Sequence, residues 1–169
     1  MMQKIATLLI IMSFFIAGCV KNKNTACGFV ESSLIAPTSE VDSLKTLLKD
    51  SAIIAMPNAI GFFYSVQQSG SGTAIVNLCS TVSVSYVGKL FNGTVFDSTA
   101  NNQLASFQLG QVIAGWQKGL PLINKGGKIT LYVPPTLGYG SNPVIDRNGN
   151  IVIPGNSYLI FHIYLADIQ

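Results

Sequence analysis

Histidine, cysteine and charge are all scarce in this chain, and each scarcity removes a class of function. There is one histidine, His162, and there are three cysteines, Cys19, Cys27 and Cys79, with no CxxC pair among them. That set supports neither a zinc site nor a thioredoxin-like redox centre, so no metal is expected. The serines and threonines lack a partner histidine and the acidic residues are few and dispersed, which argues against hydrolysis by a nucleophile and base. Charged residues make up 10% of the chain, with a net charge of +3. The lysines are scattered or sit in a short tract, Lys21-Asn22-Lys23-Asn24, whereas a nucleic-acid binder shows a basic stripe with interleaved aromatics. No nucleic-acid partner is expected, and the tract reads as a solvated tether.

The apolar run over residues 5–17, broken by Thr7 and Ser13, falls short of the roughly 20 residues a bilayer-crossing helix needs. With Lys4 before it and Gly18-Cys19 after it, it has the anatomy of a signal peptide. Ile16-Ala17-Gly18-Cys19 resembles the lipobox of bacterial lipoproteins, with Ile16 in place of the commoner leucine. The resemblance implies removal of residues 1–18, lipidation of Cys19 and a place in the cell envelope, on a bacterial membrane facing the periplasm or the exterior. More than one acyl chain on one residue suffices for stable anchoring. An ordinary secretory signal with a cysteine near its end is the alternative. Cys27 and Cys79 then form an even pair in an oxidising compartment, which suggests a disulfide; the alternative is two separate thiols, Cys79 buried as a small hydrophobe.

Half of the residues are apolar (49%), and glycine, β-branched and aromatic residues are plentiful, which favours strands and turns. Residues 19–60 read as a tether followed by a short amphipathic helix, with Val41, Leu44, Leu47 and Leu48 at helical spacing and Ser39 and Asp42 as a capping-box variant. That helix is expected to pack on the neighbouring domain, with a dimer contact as the alternative. From residue 61 the period changes to two. Phe62, Tyr64 and Val66 share one face, as do Val82, Val84 and Tyr86, then Ile129, Leu131 and Val133, then Leu159, Phe161, Ile163 and Leu165. His162 reads as an outward strand position. Asn92-Gly93 is the favoured filling of a tight hairpin turn. Between the strands, Trp116, Leu120 and Ile123 lie on one helical face over barely three turns. The expected class is α+β, a curved antiparallel β-sheet wrapped around one short α-helix over residues 61–169.

Periodicity alone would make the aromatics core residues, but local motifs change the weighting. Val84-Ser85-Tyr86-Val87-Gly88, Asn92-Gly93-Thr94-Val95-Phe96-Asp97-Ser98 and the run from Phe107-Gln108-Leu109-Gly110 to Ile113-Ala114-Gly115-Trp116 stand in order. Pro134-Pro135-Thr136-Leu137-Gly138-Tyr139-Gly140 and the run from Ile153-Pro154-Gly155 to Phe161 follow. In order and spacing these five motifs resemble the FKBP-type prolyl isomerases, over about residues 61–169.

The resemblance implies a proline pocket lined by Tyr86, Phe96, Asp97, Phe107, Val112, Ile113, Trp116, Tyr139 and Phe161. Trp116 is its floor, the Ile113 N–H and Tyr139 hydroxyl hold substrate carbonyls, and Asp97, oriented by Tyr86, acts by polarity near the twisting bond. A turn cap is the structural alternative for Asp97. The family often carries an aromatic where this chain has Ala105, so that wall is expected to be more open. No cofactor is required. The implied partners are proline-containing unfolded or exported proteins and macrolide inhibitors of the rapamycin type. A holdase-like chaperone and an adhesive lipoprotein are the competing readings. Residues 141–152 carry apolar arms around Asn148-Gly149 and are expected to form a hairpin flap beside the pocket, covering either substrate or its own domain.

Overall fold

The computed structural model describes residues 27–75, 77–100 and 103–169. The lipobox, Cys19 and the Lys21 to Asn24 tract lie outside the described residues. Helix α1 (Thr38–Asp50) leads into β1 (Met56–Pro57) and β2 (Phe63–Gln68), followed by β3 (Thr81–Leu90), β4 (Val95–Ser98) and β5 (Ala105–Gln108). Helix α2 (Ala114–Gly119) then precedes β6 (Lys128–Val133), β7 (Val144–Ile145), β8 (Ile151–Ile153) and β9 (Leu159–Ile168). The main sheet has the order β1-β2-β6-β9-β3-β4, with β5 on the other half of β3, and every pairing is antiparallel.

The inward faces follow the alternation. Val82, Val84, Ile129, Leu131, Val133, Leu159, Phe161, Ile163 and Leu165 are all buried in one cluster with Trp116, Leu120 and Ile123. Each fully buried side chain of this size contributes about 1.5–3 kcal/mol. Gly115 and Gly119 let α2 lie close to β6, since a Cβ on either would meet Val133 or Leu131 below 3 Å. The helix is shorter than the spacing predicts: it stops at Gly119, and a 3₁₀ turn over Leu120–Leu122, containing Pro121, continues the buried face.

On the outer face α1 covers one end of the sheet, where Leu44 and Leu48 pack with Phe63 and Tyr132. The expected capping box is not formed. The helix starts at Thr38, one residue ahead of Ser39, its cap position is Pro37, and no side chain caps it. Ser39 instead lies within the first turn, and its carbonyl accepts the Ser43 hydroxyl proton.

Both Asn-Gly pairs close three-residue loops rather than two-residue turns. Gly93 N–H donates to Leu90 and Leu90 N–H to Thr94, while Gly149 donates to Asp146 and Asp146 to Asn150. Only the glycine of each pair has positive φ, +91° and +84°. A two-residue turn of the primed type needs positive φ at both positions, so these are type I turns closed by a glycine bulge. A disulfide joins Cys27 to Cys79, Cα to Cα 5.6 Å, and Glu31 pairs with Lys118 of α2 at 2.5 Å.

Candidate functional site

The pocket is built around Trp116, buried at 4% exposure in the first turn of α2. Tyr86, Phe161 and Phe107 stand edge-on to its indole, at centroid distances of 5.2, 5.3 and 5.8 Å and interplanar angles of 87°, 85° and 89°. Phe96 meets Phe161 in the same way at 5.6 Å. Such edge contacts each add about 0.5–1.5 kcal/mol and hold the rings upright, so the floor has fixed walls. The indole Nε1 is buried without a hydrogen-bond partner among the described residues.

Phe96 reaches this cluster through a bulge. Gly88 pairs with Asp97 and Lys89 with Val95, so Phe96 is an extra residue in β4. Strict alternation would turn Phe96 and Asp97 to opposite faces, and the extra residue re-aims one of them. Gly88 makes room, since a Cβ there would meet the Phe96 ring at 2.7 Å.

At the rim the Tyr86 hydroxyl donates to Asp97 Oδ2 at 2.5 Å. Burial, reinforced by that hydrogen bond, pushes the Tyr86 hydroxyl well above the usual tyrosine range. Tyr139 is also raised, by burial first and then by the charge of Asp97, which places its hydroxyl within electrostatic reach of that carboxylate. Tyr139 is 44% exposed, a polar tip at the mouth of an apolar box. Val112 and Ile113 are half-buried against the core, and the Ile113 N–H makes no hydrogen bond among the described residues while its carbonyl accepts from Trp116 and Gln117.

Of the nine residues carried over by the resemblance, Tyr86, Phe96, Asp97, Phe107, Trp116 and Phe161 are joined by ring contacts or the Tyr86–Asp97 bond, Tyr139 feels the charge of Asp97, and Val112 and Ile113 pack against the same core, whereas Cys27 and Cys79 lie with the segment tied to α2. Ala105 pairs with Val84 in β5 and presents no ring on that side. Sequence reasoning missed the braces. Gln117 donates from Nε2 to the Val112 carbonyl at 2.9 Å, fixing the backbone that precedes Ile113. Glu40 accepts from the backbone N–H and hydroxyl of Thr136 at 3.0 and 2.7 Å, tying α1 to the turn that precedes Tyr139. Neither has a periodic or motif signal, because each joins elements whose proximity only the fold creates.

The model of the family described as FKBP-type peptidyl-prolyl cis-trans isomerase matches residues 72–166. The FKBP-type peptidyl-prolyl cis-trans isomerase FkpA of Buchnera aphidicola subsp. Schizaphis graminum is 44% identical over 110 residues, 64% of this chain and 41% of that protein. A probable FKBP-type isomerase of Haemophilus influenzae is 44% identical over 110 residues, 64% of this chain and 43% of that one. The chain therefore spans about two fifths of the length of these curated relatives. The crystal structure of FkpA from Escherichia coli superposes with a TM-score of 0.63 at 34% identity, over 78% of this chain and 58% of that one. AtFKBP13 superposes with a TM-score of 0.62 at 33% identity, over 69% of this chain and 99% of that one. With the family match covering more than half of its length and the aromatic box assembled around Trp116, the chain belongs to the FKBP-type peptidyl-prolyl cis-trans isomerases.

Proposed function

We propose that this protein accelerates cis/trans rotation of Xaa-Pro bonds in exported polypeptides, assisting their folding. The observation that carries the reading is the closed set of aromatics around Trp116 with the Tyr86–Asp97 pair at its rim. Rotation about a peptide bond meets a barrier of roughly 18–20 kcal/mol because twisting removes resonance. The twisted amide has less charge separation than the planar one, so an apolar box favours it over the ground state. Each 1.36 kcal/mol of that preference speeds the reaction about tenfold.

In this mechanism Trp116 receives the pyrrolidine ring, and Phe96, Phe107 and Phe161 fix the axis about which it turns. The unpaired Ile113 N–H and the Tyr139 hydroxyl hold substrate carbonyls, and Asp97, oriented by Tyr86, sits beside the carbonyl that swings. No bond is made or broken. We place the protein in the cell envelope, held to a bacterial membrane through lipid on Cys19, and expect macrolides of the rapamycin type to fill the same box.

The test is isomerisation of a short Xaa-Pro peptide by the purified protein. The uncatalysed reaction takes tens to hundreds of seconds, so acceleration is readily seen. A folded sample that leaves the rate unchanged but still binds unfolded chains would instead be a holdase. Loss of detergent partitioning in Cys19→Ala tests the anchor, and unchanged partitioning would exclude it.

A further inference from the structure

A groove of about 610 Å³ lies on the outer face of the main sheet, bordered by Tyr86 of the proline box and by Tyr132, which packs under α1. Its centre is a hydrogen-bonded row across three strands. Gln67 Nε2 donates to Thr130 Oγ1 at 3.1 Å, and Thr130 Oγ1 lies 3.0 Å from His162 Nδ1. Thr130 is 4% exposed. Thr130 accepts from Gln67, and when it gives its own proton to Nδ1 the imidazole hydrogen sits on Nε2, where it is a donor toward the groove. Burial and the positive charge of Lys89 hold the His162 pKa below its ordinary value, which keeps the ring in that neutral form.

The registers place two cations around this row. Lys128 pairs with Tyr164, two residues along β9 from His162 on one side, and Lys89 pairs with Ile160, two residues along on the other. Lys128 Nζ stands 5.8 Å from the Tyr164 ring centroid. Neither lysine has a carboxylate within salt-bridge distance among the described residues, and no acidic side chain lines the groove. The titratable groups facing His162 are Lys89 from β3, Lys128 and Tyr132 from β6, and Tyr164 from β9.

From this arrangement we propose that the outer groove, which shares only Tyr86 with the isomerase box, is a second ligand site that takes a phosphomonoester. Lys128 lines the groove and Lys89 stands beside it, outside the lining but with its charge felt at His162, and the imidazole N–H with the hydroxyls of Ser85 and Tyr164 supplies spread, non-planar donors. A phosphomonoester carries about −1.5 to −2 charges and three acceptor oxygens, which matches such a set. A carboxylate is read best by the planar fork of arginine, and the chain's one arginine, Arg147, sits in the β7–β8 turn instead.

His162 is the sole histidine, so its ring resonances report on the groove without ambiguity. The full chain is titrated with inorganic phosphate and, separately, with dihexanoyl phosphatidic acid below its micelle concentration, against sodium chloride of equal ionic strength. Expected are a saturable shift of the His162 ring signals with the phosphate ligands, a rise in its pKa, and binding about tenfold weaker in both Lys128→Gln and Lys89→Gln. Isomerase turnover on a short peptide is expected to be unchanged by Lys128→Gln, so the outcome is independent of the pocket reading. Tighter binding of the phosphatidic acid assigns a lipid headgroup, and equal binding assigns free or sugar-borne phosphate. An equal shift with chloride, a shift that never saturates, or full binding in both variants overturns the proposal.

Discussion

Tyr86 and Asp97 are joined by a 2.5 Å hydrogen bond across the β3–β4 pair, at the point where β4 carries its extra residue. Tyr86 is also edge-on to Trp116 and Phe107, so one side chain ties the acidic rim to the apolar floor. Removing Asp97 leaves the half-buried Tyr86 hydroxyl unpaired, a loss of about 1–3 kcal/mol at the site, whereas removing the Tyr86 hydroxyl leaves an exposed carboxylate without the partner that orients it.

Tyr86→Phe and Asp97→Ala are therefore each expected to lower kcat/KM on an Xaa-Pro peptide by about tenfold or more, with circular dichroism unchanged. Wild-type turnover in both would remove the pair from the mechanism.

The raised pKa of Tyr86 also sets a pH dependence of stability. An unfolded tyrosine ionises near pH 10, whereas the folded Tyr86 keeps its proton to higher pH. Above pH 10 the unfolded state thus binds fewer protons than the folded one, and stability falls as pH rises. Below pH 10 this contribution is fully present. Urea midpoints between about pH 8 and 11 should fall less steeply in Tyr86→Phe than in wild type, and parallel curves would show that Tyr86 does not carry the effect.

Much of this was legible in the sequence because the relevant signals are local. The alternation in β9 fixes which of Leu159 to Leu165 face inward, and a single tryptophan after a helix start marks the floor. The position of Phe96 was not derivable from alternation, because the bulge that re-aims it exists only in the pairing with Gly88. The same holds for Glu40 and Thr136, 96 residues apart, and for a helix start set by Pro37 where Ser39 offers a stronger local signal. Asn92 and Asn148 mark their turns correctly but not the loop length, since the same dipeptide fits either class and the strand register chooses.

Gly88→Ala is expected to push the Phe96 ring off its seat, costing about 1–3 kcal/mol of stability and lowering turnover more than a surface substitution would. Urea unfolding with a parallel peptide assay measures both. Unchanged turnover would mean that Phe96 has no part in holding the proline.

The Cys27–Cys79 link closes a span of 52 residues outside the box. Cys27→Ser with Cys79→Ser should cost about 2–4 kcal/mol in stability. Peptide turnover at low temperature is expected to stay near wild type, as no pocket side chain is removed. A thiol-blocking mass measurement that finds both cysteines free in the purified protein would exclude the link.

The β7–β8 hairpin divides its apolar residues between two uses. Val144 and Val152 pack against the main core, while the cross-strand pair Ile145 and Ile151 stays 60% and 62% exposed. Its base is pinned beside the pocket, where Asn156 N–H donates to the carbonyl of Gly140, next to Tyr139. The inner valines account for the folding of the hairpin onto its own domain, but an exposed isoleucine pair gains nothing from that contact. Excising residues 144–152 would remove core packing together with any substrate contact, so the sharper variant is Ile145→Ser with Ile151→Ser. If the pair covers an extended client, that variant should keep wild-type rates on a tetrapeptide too short to reach it. It should also slow catalysis of proline-limited refolding about threefold to tenfold, the effect of losing about 1 kcal/mol of apolar contact. An equal loss on both substrates, or none on either, would leave the hairpin a structural element only.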